Sequence, residues 1–291
     1  MNMKTKLNQL IAPMAMAIVT MLPVPHATAA GTITVKGSDT MVILAQKWAE
    51  VYMGKNPDVK IQVTGGGTGT GFAALQDRKT DLCNASRKIK SKEIATCMAA
   101  FGGAKPTEYK VAVDGLSVYV NVENPVKELT VEQVEQIFTG KIKNWKEVGG
   151  KYAPIVLYSR ENSSGTYEFF KEHVLQGKDF AASAQTMPGT AIVLQSVAKE
   201  KNGIGYGGAA YGAGAKHLWI KPSATEPAVE PTEENVLNEK YPIWRYLYIY
   251  VNPALDKGNI AAYLNWIRSD DGQKVVKDVG YFPLPAQWRH K

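Results

Sequence analysis

The chain has 291 residues, of which 45% are hydrophobic and 21% are charged, and its formal net charge is +7. This length is enough for one large or two medium-sized domains with their own hydrophobic cores. The basic residues are scattered rather than grouped into a stripe, which argues against nucleic acid as a partner. After the first 30 residues no segment is apolar enough to span a membrane.

Residues 1–30 are predicted to be a signal peptide. Lys4 and Lys6 form a basic start, and residues 10–22 are an apolar run that is too short to cross a bilayer. Ala27-Thr28-Ala29 is a small-residue cleavage site, so we expect cleavage near Ala29 or Ala30. No cysteine lies at that position, which predicts an exported protein without a lipid anchor.

Strands and helices alternate along the remaining chain, and this alternation predicts an α/β architecture. The predicted strands cover residues 32–35, 59–63, 81–87 with its turn, 111–120 with an interruption at 114–115, 155–158 and 244–251. The predicted helices are centred on residues 41–54, 72–75, 92–101, 130–138, 167–175 and 260–267.

One strand–turn–helix motif recurs along the chain, with a turn that is rich in Gly, Ser and Thr. It occurs at residues 38–41, 68–71 and 163–166, and Arg160 stands just before the third turn. In open α/β sheets, ligands bind at the carboxyl ends of the strands, where helix N-termini present free N–H groups to anions. The sequence therefore predicts that hydroxyl groups, amides and one arginine converge on a small oxyanion.

Two of these motifs resemble the signatures of other protein classes without matching them. The glycine-rich run at 65–71 lacks the Gly-Lys-Ser/Thr of a phosphate-binding P-loop and the spacing of a dinucleotide fingerprint. The Ser163-Ser164-Gly165 turn lacks the G-x-S-x-G pattern of hydrolases, which disfavours a nucleophilic serine. Asp114 lies in an apolar strand, so it needs either a cationic partner or a ligand whose proton it accepts.

The two cysteines, Cys83 and Cys97, are predicted to form a disulfide because the chain is exported. Closing this loop would contribute about 3 kcal/mol. The histidines His173, His217 and His290 are widely spaced, so the sequence predicts neither a metal site nor another cofactor.

Taken together, these motifs resemble the periplasmic phosphate-binding proteins of bacterial phosphate ABC transporters. The resemblance rests on Gly37–Met41, Gly67–Gly71, Asn84–Arg87, Ile137–Trp145 and Arg160–Thr166, and it covers nearly the whole chain after residue 30. It implies a type II periplasmic binding protein in which two α/β lobes, each a mixed sheet flanked by helices, are joined by a two-strand hinge. Lobe one is expected to comprise residues 31–114 and 244–291, and lobe two residues 115–243.

The resemblance also implies a set of phosphate-binding residues. That set is Ser38, Thr40, Met41 (through its amide), Thr68, Ser86, Arg87, Asp114, Arg160, Ser164, Gly165 and Thr166. Some family members carry an aspartate directly after the serine that corresponds to Ser86, and this aspartate accepts a proton from phosphate. This chain has Arg87 at that position. Asp114 is our first candidate for the missing acceptor, and Asp39 is the second.

The function that the resemblance implies is binding of inorganic phosphate in the periplasm and its delivery to an inner-membrane ABC permease. Such a protein is expected to be a monomer, to have no enzymatic activity and to have no stable insertion in the membrane. Two alternatives stay open: a binder or sensor of another tetrahedral oxyanion, and a secreted phosphatase that uses a serine nucleophile.

Overall fold

A computed structural model of the chain describes residues 31–212 and 214–289; the predicted signal peptide lies outside these ranges. Within them, the chain forms two five-stranded sheets and one two-stranded sheet, with helices packed around them. The predicted α/β fold class is therefore confirmed. None of the helices in the described ranges is long and apolar enough to cross a bilayer.

The first sheet has the strand order β2-β1-β3-β12-β4. Its strands are β1 (Thr32–Gly37), β2 (Lys60–Thr64), β3 (Leu82–Ala85), β4 (Thr107–Gly115) and β12 (Trp244–Val251). Strand β1 pairs in parallel with β2 and β3, whereas β12 is antiparallel to both β3 and β4. The last of these strands comes from a distant part of the chain, so the first sheet is discontinuous in sequence.

The second sheet has the order β10-β5-β9-β7-β8, and the small third sheet pairs β11 with β6. Their strands are β5 (Ser117–Val120), β6 (Glu128–Thr130), β7 (Val156–Arg160), β8 (Gln185–Met187), β9 (Gly203–Gly207), β10 (Lys216–His217) and β11 (Trp219–Lys221). Strand β7 runs parallel to β8 and β9, so these three strands end at the same edge of the sheet.

The described ranges contain nine α-helices. They are α1 (Val42–Lys55), α2 (Thr68–Gln76), α3 (Ser91–Ala100), α4 (Val131–Phe138), α5 (Gly165–His173), α6 (Thr190–Lys199), α7 (Glu233–Leu237), α8 (Gly258–Arg268) and α9 (Asp270–Val279). The start of α4 shows how local sequence sets these boundaries. The Thr130 hydroxyl accepts the Gln133 N–H at 3.0 Å, and the Gln133 side chain accepts the Thr130 N–H at 2.9 Å, which is a capping box.

Each five-stranded sheet has its own hydrophobic core. Leu44 and Trp48 of α1 are fully buried in the core of the first sheet. Phe170 of α5 and Tyr206 of β9 stack with their ring centroids 3.9 Å apart in the core of the second. The chain passes from the first sheet to the second between β4 and β5 and returns just before β12. These two crossings are joined by the hydrogen bond from Leu116 N to Ile243 O at 2.8 Å.

The predicted disulfide is wrong, because Cys83 and Cys97 are both free thiols in the structure. The Cys83 sulfur lies under α2, so close to Gly71 that a Cβ built on that glycine would lie 2.8 Å from it. The sulfur points toward the carbonyl of Asn84, at 3.8 Å. Burial raises the pKa of Cys83 well above its usual value and that of Cys97 to about 11, so both side chains are protonated core residues.

Candidate anion-binding site

Five buried hydroxyl groups from different loops lie within hydrogen-bonding distance of one another. We call this set, Thr40, Thr68, Ser86, Thr166 and Thr190, the hydroxyl cluster. Its contacts are Thr40–Thr166 at 2.7 Å, Thr40–Thr190 at 3.2 Å, Thr68–Ser86 at 3.3 Å and Ser86–Thr166 at 3.4 Å between hydroxyl oxygens. Each of the five residues is at most 1% exposed. The convergence predicted from the recurring turns is therefore present.

The cluster combines loops that follow strands of both five-stranded sheets. Thr40 follows β1, and Ser86 follows β3, its parallel neighbour in the first sheet. Thr166 lies in the first turn of α5, which follows β7 of the second sheet. A hydrogen bond from Gly69 N to Ser163 O, 2.9 Å long, ties the start of α2 to the loop before α5. Loops from both sheets thus meet at one place.

Gly165 lets the two helix starts approach closely. A Cβ built on this residue would lie 2.4 Å from Thr68 Oγ1 and 2.8 Å from Ser86 Oγ, so any side chain there would occupy the hydroxyl cluster. The preceding Ser164 is the N-cap of α5, and its hydroxyl oxygen accepts the N–H groups of Thr166 and Tyr167. Ser164 therefore orients the helix start that carries Thr166.

Arg160, the last residue of β7, brings a buried positive charge to the cluster. It is 2% exposed, and its Nη1 donates to Thr190 Oγ1 at 2.7 Å. Its Nη2 donates to Asp39 Oδ2 at 2.8 Å and to the Pro188 carbonyl at 3.3 Å. Burial lowers the pKa of Arg160, and the nearby Asp39 carboxylate counteracts this shift. The Nε atom is buried without a hydrogen-bond partner among the described residues, so it can donate to an anion.

A second buried arginine, Arg245 of β12, reaches the cluster from the other side. It donates from Nε and Nη2 to Asp114 Oδ2 at 3.1 and 2.8 Å, and the Asp114 side chain is fully buried. Its Nη2 also donates to Thr166 Oγ1 at 3.0 Å, and its Nη1 to the Ser86 carbonyl at 2.9 Å. Arg245 is therefore a cationic partner of Asp114, which is one of the two outcomes expected for a carboxylate in an apolar strand. Its second carboxylate oxygen accepts the Ala209 N–H at 3.1 Å.

Residues 23–271 of this chain match the family described as the PBP superfamily domain. The chain belongs to the PBP superfamily. It is 39% identical over 277 residues to the phosphate-binding protein PstS of Pseudomonas aeruginosa, and the alignment covers 90% of this chain and 85% of that protein. It is 34% identical over 257 residues to the phosphate-binding protein PstS of Bacillus subtilis, covering 88% of this chain and 82% of the other.

Two solved structures similar to this PBP-superfamily protein are of proteins whose names specify phosphate. One is a phosphate ABC transporter substrate-binding protein from Clostridium perfringens with bound phosphate. Its TM-score is 0.80 at 29% identity, and the match covers 88% of this chain and 100% of that one. Another is a phosphate-binding protein from Planctomyces limnophilus, with a TM-score of 0.64 at 33% identity over 90% of this chain and 96% of that one. The fold of the PBP superfamily thus extends across nearly the whole described chain.

Two residues of the implied binding set, Met41 and Arg87, have other contacts in this PBP-superfamily protein. The Met41 amide donates to the Ser38 carbonyl at 3.1 Å, closing the short 3₁₀ turn that carries Thr40. The Arg87 guanidinium holds both carboxylate oxygens of Glu93 at 2.8 Å and lies 2.5 Å from a carboxylate oxygen of Glu168. Burial opposes the charge on Arg87, but these carboxylates outweigh it and raise the pKa of Arg87.

A cavity of about 420 Å³ lies beside the hydroxyl cluster. Arg245 lines this cavity and also touches Thr166, so its side chain stands between the cavity and the cluster. The basic residues Arg87, Lys88 and Lys90 line the same cavity. Glu172 lines the cavity as well, and Glu168 pairs with both Arg87 and Lys90, so the charges around this cavity are of both signs.

Sequence reasoning missed two residues of the site, Arg245 and Thr190. A signal for Arg245 was present, because it is a charged residue within the otherwise apolar strand 244–251, just as Asp114 is within 111–120. Two opposite charges in two buried strands could have been matched with each other. Thr190 had no comparable signal, because the sequence around it predicted neither β8 nor α6.

Proposed function

We propose that this protein binds inorganic phosphate in the periplasm and delivers it to an ABC permease in the inner membrane. The observation that carries the proposal is the hydroxyl cluster, in which buried hydroxyl groups from separate loops meet beside a buried arginine with an unpartnered Nε. Hydroxyl, amide and guanidinium donors can replace the hydration shell of an oxyanion. The relatives whose names specify phosphate favour that ion over other tetrahedral oxyanions.

The phosphate-binding residues that we propose are those that the family resemblance implies. Thr40, Thr68, Ser86 and Thr166 would donate from their hydroxyl groups, and Arg160 would make a charge-assisted contact. Gly165 would give the ion close access to the amides at the start of α5, which Ser164 caps. Ser38 and Met41 would form the first loop, Arg87 would supply positive charge, and Asp114 would accept a proton. Binding at micromolar affinity or better requires about 8 kcal/mol of net binding free energy.

Binding would involve closure of two lobes around the ion. We propose that lobe one comprises residues 31–114 and 244–291 and that lobe two comprises residues 115–243. The two chain crossings, joined through Leu116 and Ile243, would act as the hinge. The contacts of Thr40 with Thr166 and of Arg160 with Asp39 join the two lobes, so these pairs would separate to admit phosphate.

The principal experiment is a titration of intrinsic tryptophan fluorescence with phosphate, checked by calorimetry. Trp244 lines the cavity beside the cluster and is next to Arg245, so its emission should report both ligand and closure. We expect saturable binding at micromolar phosphate or below. A panel of arsenate, sulfate and molybdate identifies the preferred anion, and preference for an anion other than phosphate would contradict the proposal.

The alternative enzyme is tested in the same preparation with a chromogenic phosphate ester. In the described part of the chain, no hydrogen bond joins Ser86 or Ser164 to a histidine, so these serines have no general base in contact. We therefore expect no turnover. Measurable hydrolysis that disappears when Ser86 or Ser164 is replaced by alanine would favour the phosphatase instead.

Selectivity for phosphate depends on a proton acceptor, because phosphate keeps at least one proton at neutral pH whereas sulfate keeps none. An acceptor carboxylate therefore attracts phosphate and repels sulfate. We propose Asp114 first and Asp39 second, since each has a carboxylate oxygen that accepts one N–H among the residues that the structure describes. Replacing Asp114 with asparagine should lower the ratio of phosphate affinity to sulfate affinity about tenfold or more. An unchanged ratio in calorimetry would remove Asp114 from this role and leave Asp39.

The proposal also includes export of the protein to the periplasm and docking on the permease. Cleavage of residues 1–30 as a signal peptide would release a monomeric protein into the periplasm, where the loaded form would dock on the permease. Mass spectrometry of the secreted protein checks the cleavage near Ala29 or Ala30, and light scattering checks the oligomeric state.

A further inference from the structure

Thr190 lies where Arg160 and Thr40 meet, although no sequence motif pointed to it. It is the first residue of α6 and is 1% exposed. Its hydroxyl oxygen lies 2.7 Å from Arg160 Nη1 and 3.2 Å from Thr40 Oγ1. One side chain thus connects the buried guanidinium to the hydroxyl cluster.

The direction of these hydrogen bonds follows from the chemistry of the groups. A guanidinium can only donate, so the Thr190 oxygen must accept from Arg160 Nη1. The single proton of the Thr190 hydroxyl can then point toward Thr40 Oγ1, 3.2 Å away. Thr190 therefore holds the arginine and links it to the hydroxyl cluster through Thr40.

The orientation of the guanidinium depends strongly on this contact. Its Nη2 is held by the Asp39 carboxylate and the Pro188 carbonyl, whereas Thr190 is the partner of Nη1 among the described residues. Without the hydroxyl, Nη1 would be buried without that partner, and the guanidinium would be free to turn about its contacts with Asp39 and Pro188. Such a turn moves Nε, the donor that is available for an anion.

The other end of the Thr190 side chain is fixed by packing. A Cβ built on Gly207 of β9 would lie 2.7 Å from the Thr190 methyl carbon, so the methyl group fills the space that a side chain at 207 would need. This packing holds the side chain in one rotamer, with its hydroxyl directed at Arg160. The methyl and hydroxyl groups of Thr190 therefore have separate roles that substitution can separate.

We propose that Thr190 is a positioning residue of the phosphate site, which fixes Arg160 in the orientation that receives the ion. The proposal rests on the phosphate-binding function proposed above. It adds the start of α6 to the four loops that contain the binding residues implied by the resemblance.

The test compares variants that remove one role at a time. Thr190→Val keeps the methyl packing and removes the hydroxyl, and it should weaken phosphate binding about tenfold or more in calorimetry. Thr190→Ser keeps the hydroxyl and should bind within about threefold of the wild type. Thr186→Val, the same change at an exposed threonine of β8, is the matched control and should leave affinity unchanged. Urea unfolding of each variant checks that the native state is retained, and Thr190→Ala replaces Thr190→Val should the valine variant not fold.

A double-mutant cycle with Arg160→Ala identifies the route of the effect. If Thr190 acts by holding Arg160, removing its hydroxyl in the Arg160→Ala background should change phosphate affinity by less than about twofold. An equal loss in both backgrounds would overturn the positioning role, as would wild-type affinity in Thr190→Val. If the wild-type protein binds no phosphate, the proposed function itself fails, which is a different outcome from normal binding by a Thr190 variant.

Discussion

Replacing Arg160 with alanine is expected to weaken phosphate binding at least tenfold. Arg160 is 2% exposed, and its guanidinium donates to Thr190, whose hydroxyl group contacts Thr40. Losing one partner of a buried, hydrogen-bonded charge pair costs about 2–5 kcal/mol, and phosphate would be the partner left behind. Isothermal titration calorimetry measures this loss directly, and a second titration at high phosphate concentration extends the measurable range to weak binding.

Controls separate a local effect from a general one. Arg78→Ala removes the same charge from an exposed arginine and should leave phosphate affinity unchanged. The stability cost of Arg160→Ala should be moderate, because the Asp39 side chain that it leaves behind is 18% exposed and can be hydrated. Near wild-type phosphate affinity in Arg160→Ala would exclude Arg160 from the binding site and would remove the basis of the Thr190 proposal as well.

The parts of the site that could be predicted from sequence are those set by local signals. Thr40, Thr68, Ser86 and Thr166 each follow a recognisable strand or open a recognisable helix. The rule that loops at the carboxyl ends of neighbouring parallel strands share one edge then brings Thr40, Thr68 and Ser86 together. Thr166 follows β7 of the other sheet, so its position beside them depends on how the two sheets meet. The burial of Asp114 in an apolar strand predicted either a cationic partner or a ligand whose proton it accepts, and the structure shows Arg245 as a cationic partner.

The parts that sequence reasoning missed depend on contacts between distant segments. Asp114 and Arg245 are 131 positions apart, and only the pairing of β4 with β12 makes them direct neighbours across the sheet. Thr190 meets Arg160 because β8 pairs in parallel with β7 and places the following helix beside it. Neither pairing has a signature in a single sequence.

The disulfide predicted between Cys83 and Cys97 is absent, because both residues are free thiols. Export makes a disulfide chemically possible, but the bond also requires a specific geometry of the two sulfur atoms. Cys83 lies on a strand whose side chains alternate between faces, and packing under α2 directs its sulfur toward Gly71 and the Asn84 carbonyl. The compartment of a protein carries no information about such a direction.

Replacing Arg245 with methionine should lower the free energy of unfolding by about 3–5 kcal/mol, the largest stability effect that we expect from a change in this site. The two side chains of the Arg245–Asp114 pair are 3% and 0% exposed. Methionine has a similar length but no charge, so the Asp114 carboxylate would lie buried with the Ala209 N–H as its described donor. Urea unfolding followed by circular dichroism measures the loss.

The double variant Arg245→Met with Asp114→Asn tests whether the buried charge causes this loss. It removes both charges at once and should recover most of the stability, because replacing a whole buried ion pair costs much less than breaking it. A double variant as unstable as Arg245→Met would mean that Arg245 stabilises the fold through packing, for example against the Phe169 ring beneath its guanidinium.

Phosphate affinity in the same double variant separates the two roles of Arg245. Even with stability restored, the Ser86 carbonyl and the Thr166 hydroxyl would lack the donors that now hold them at 2.9 and 3.0 Å. Affinity should therefore stay at least tenfold below that of the Asp114→Asn single variant. If affinity returns together with stability, Arg245 serves the fold alone, and the hydroxyl groups of Ser86 and Thr166 need no arginine to keep their positions.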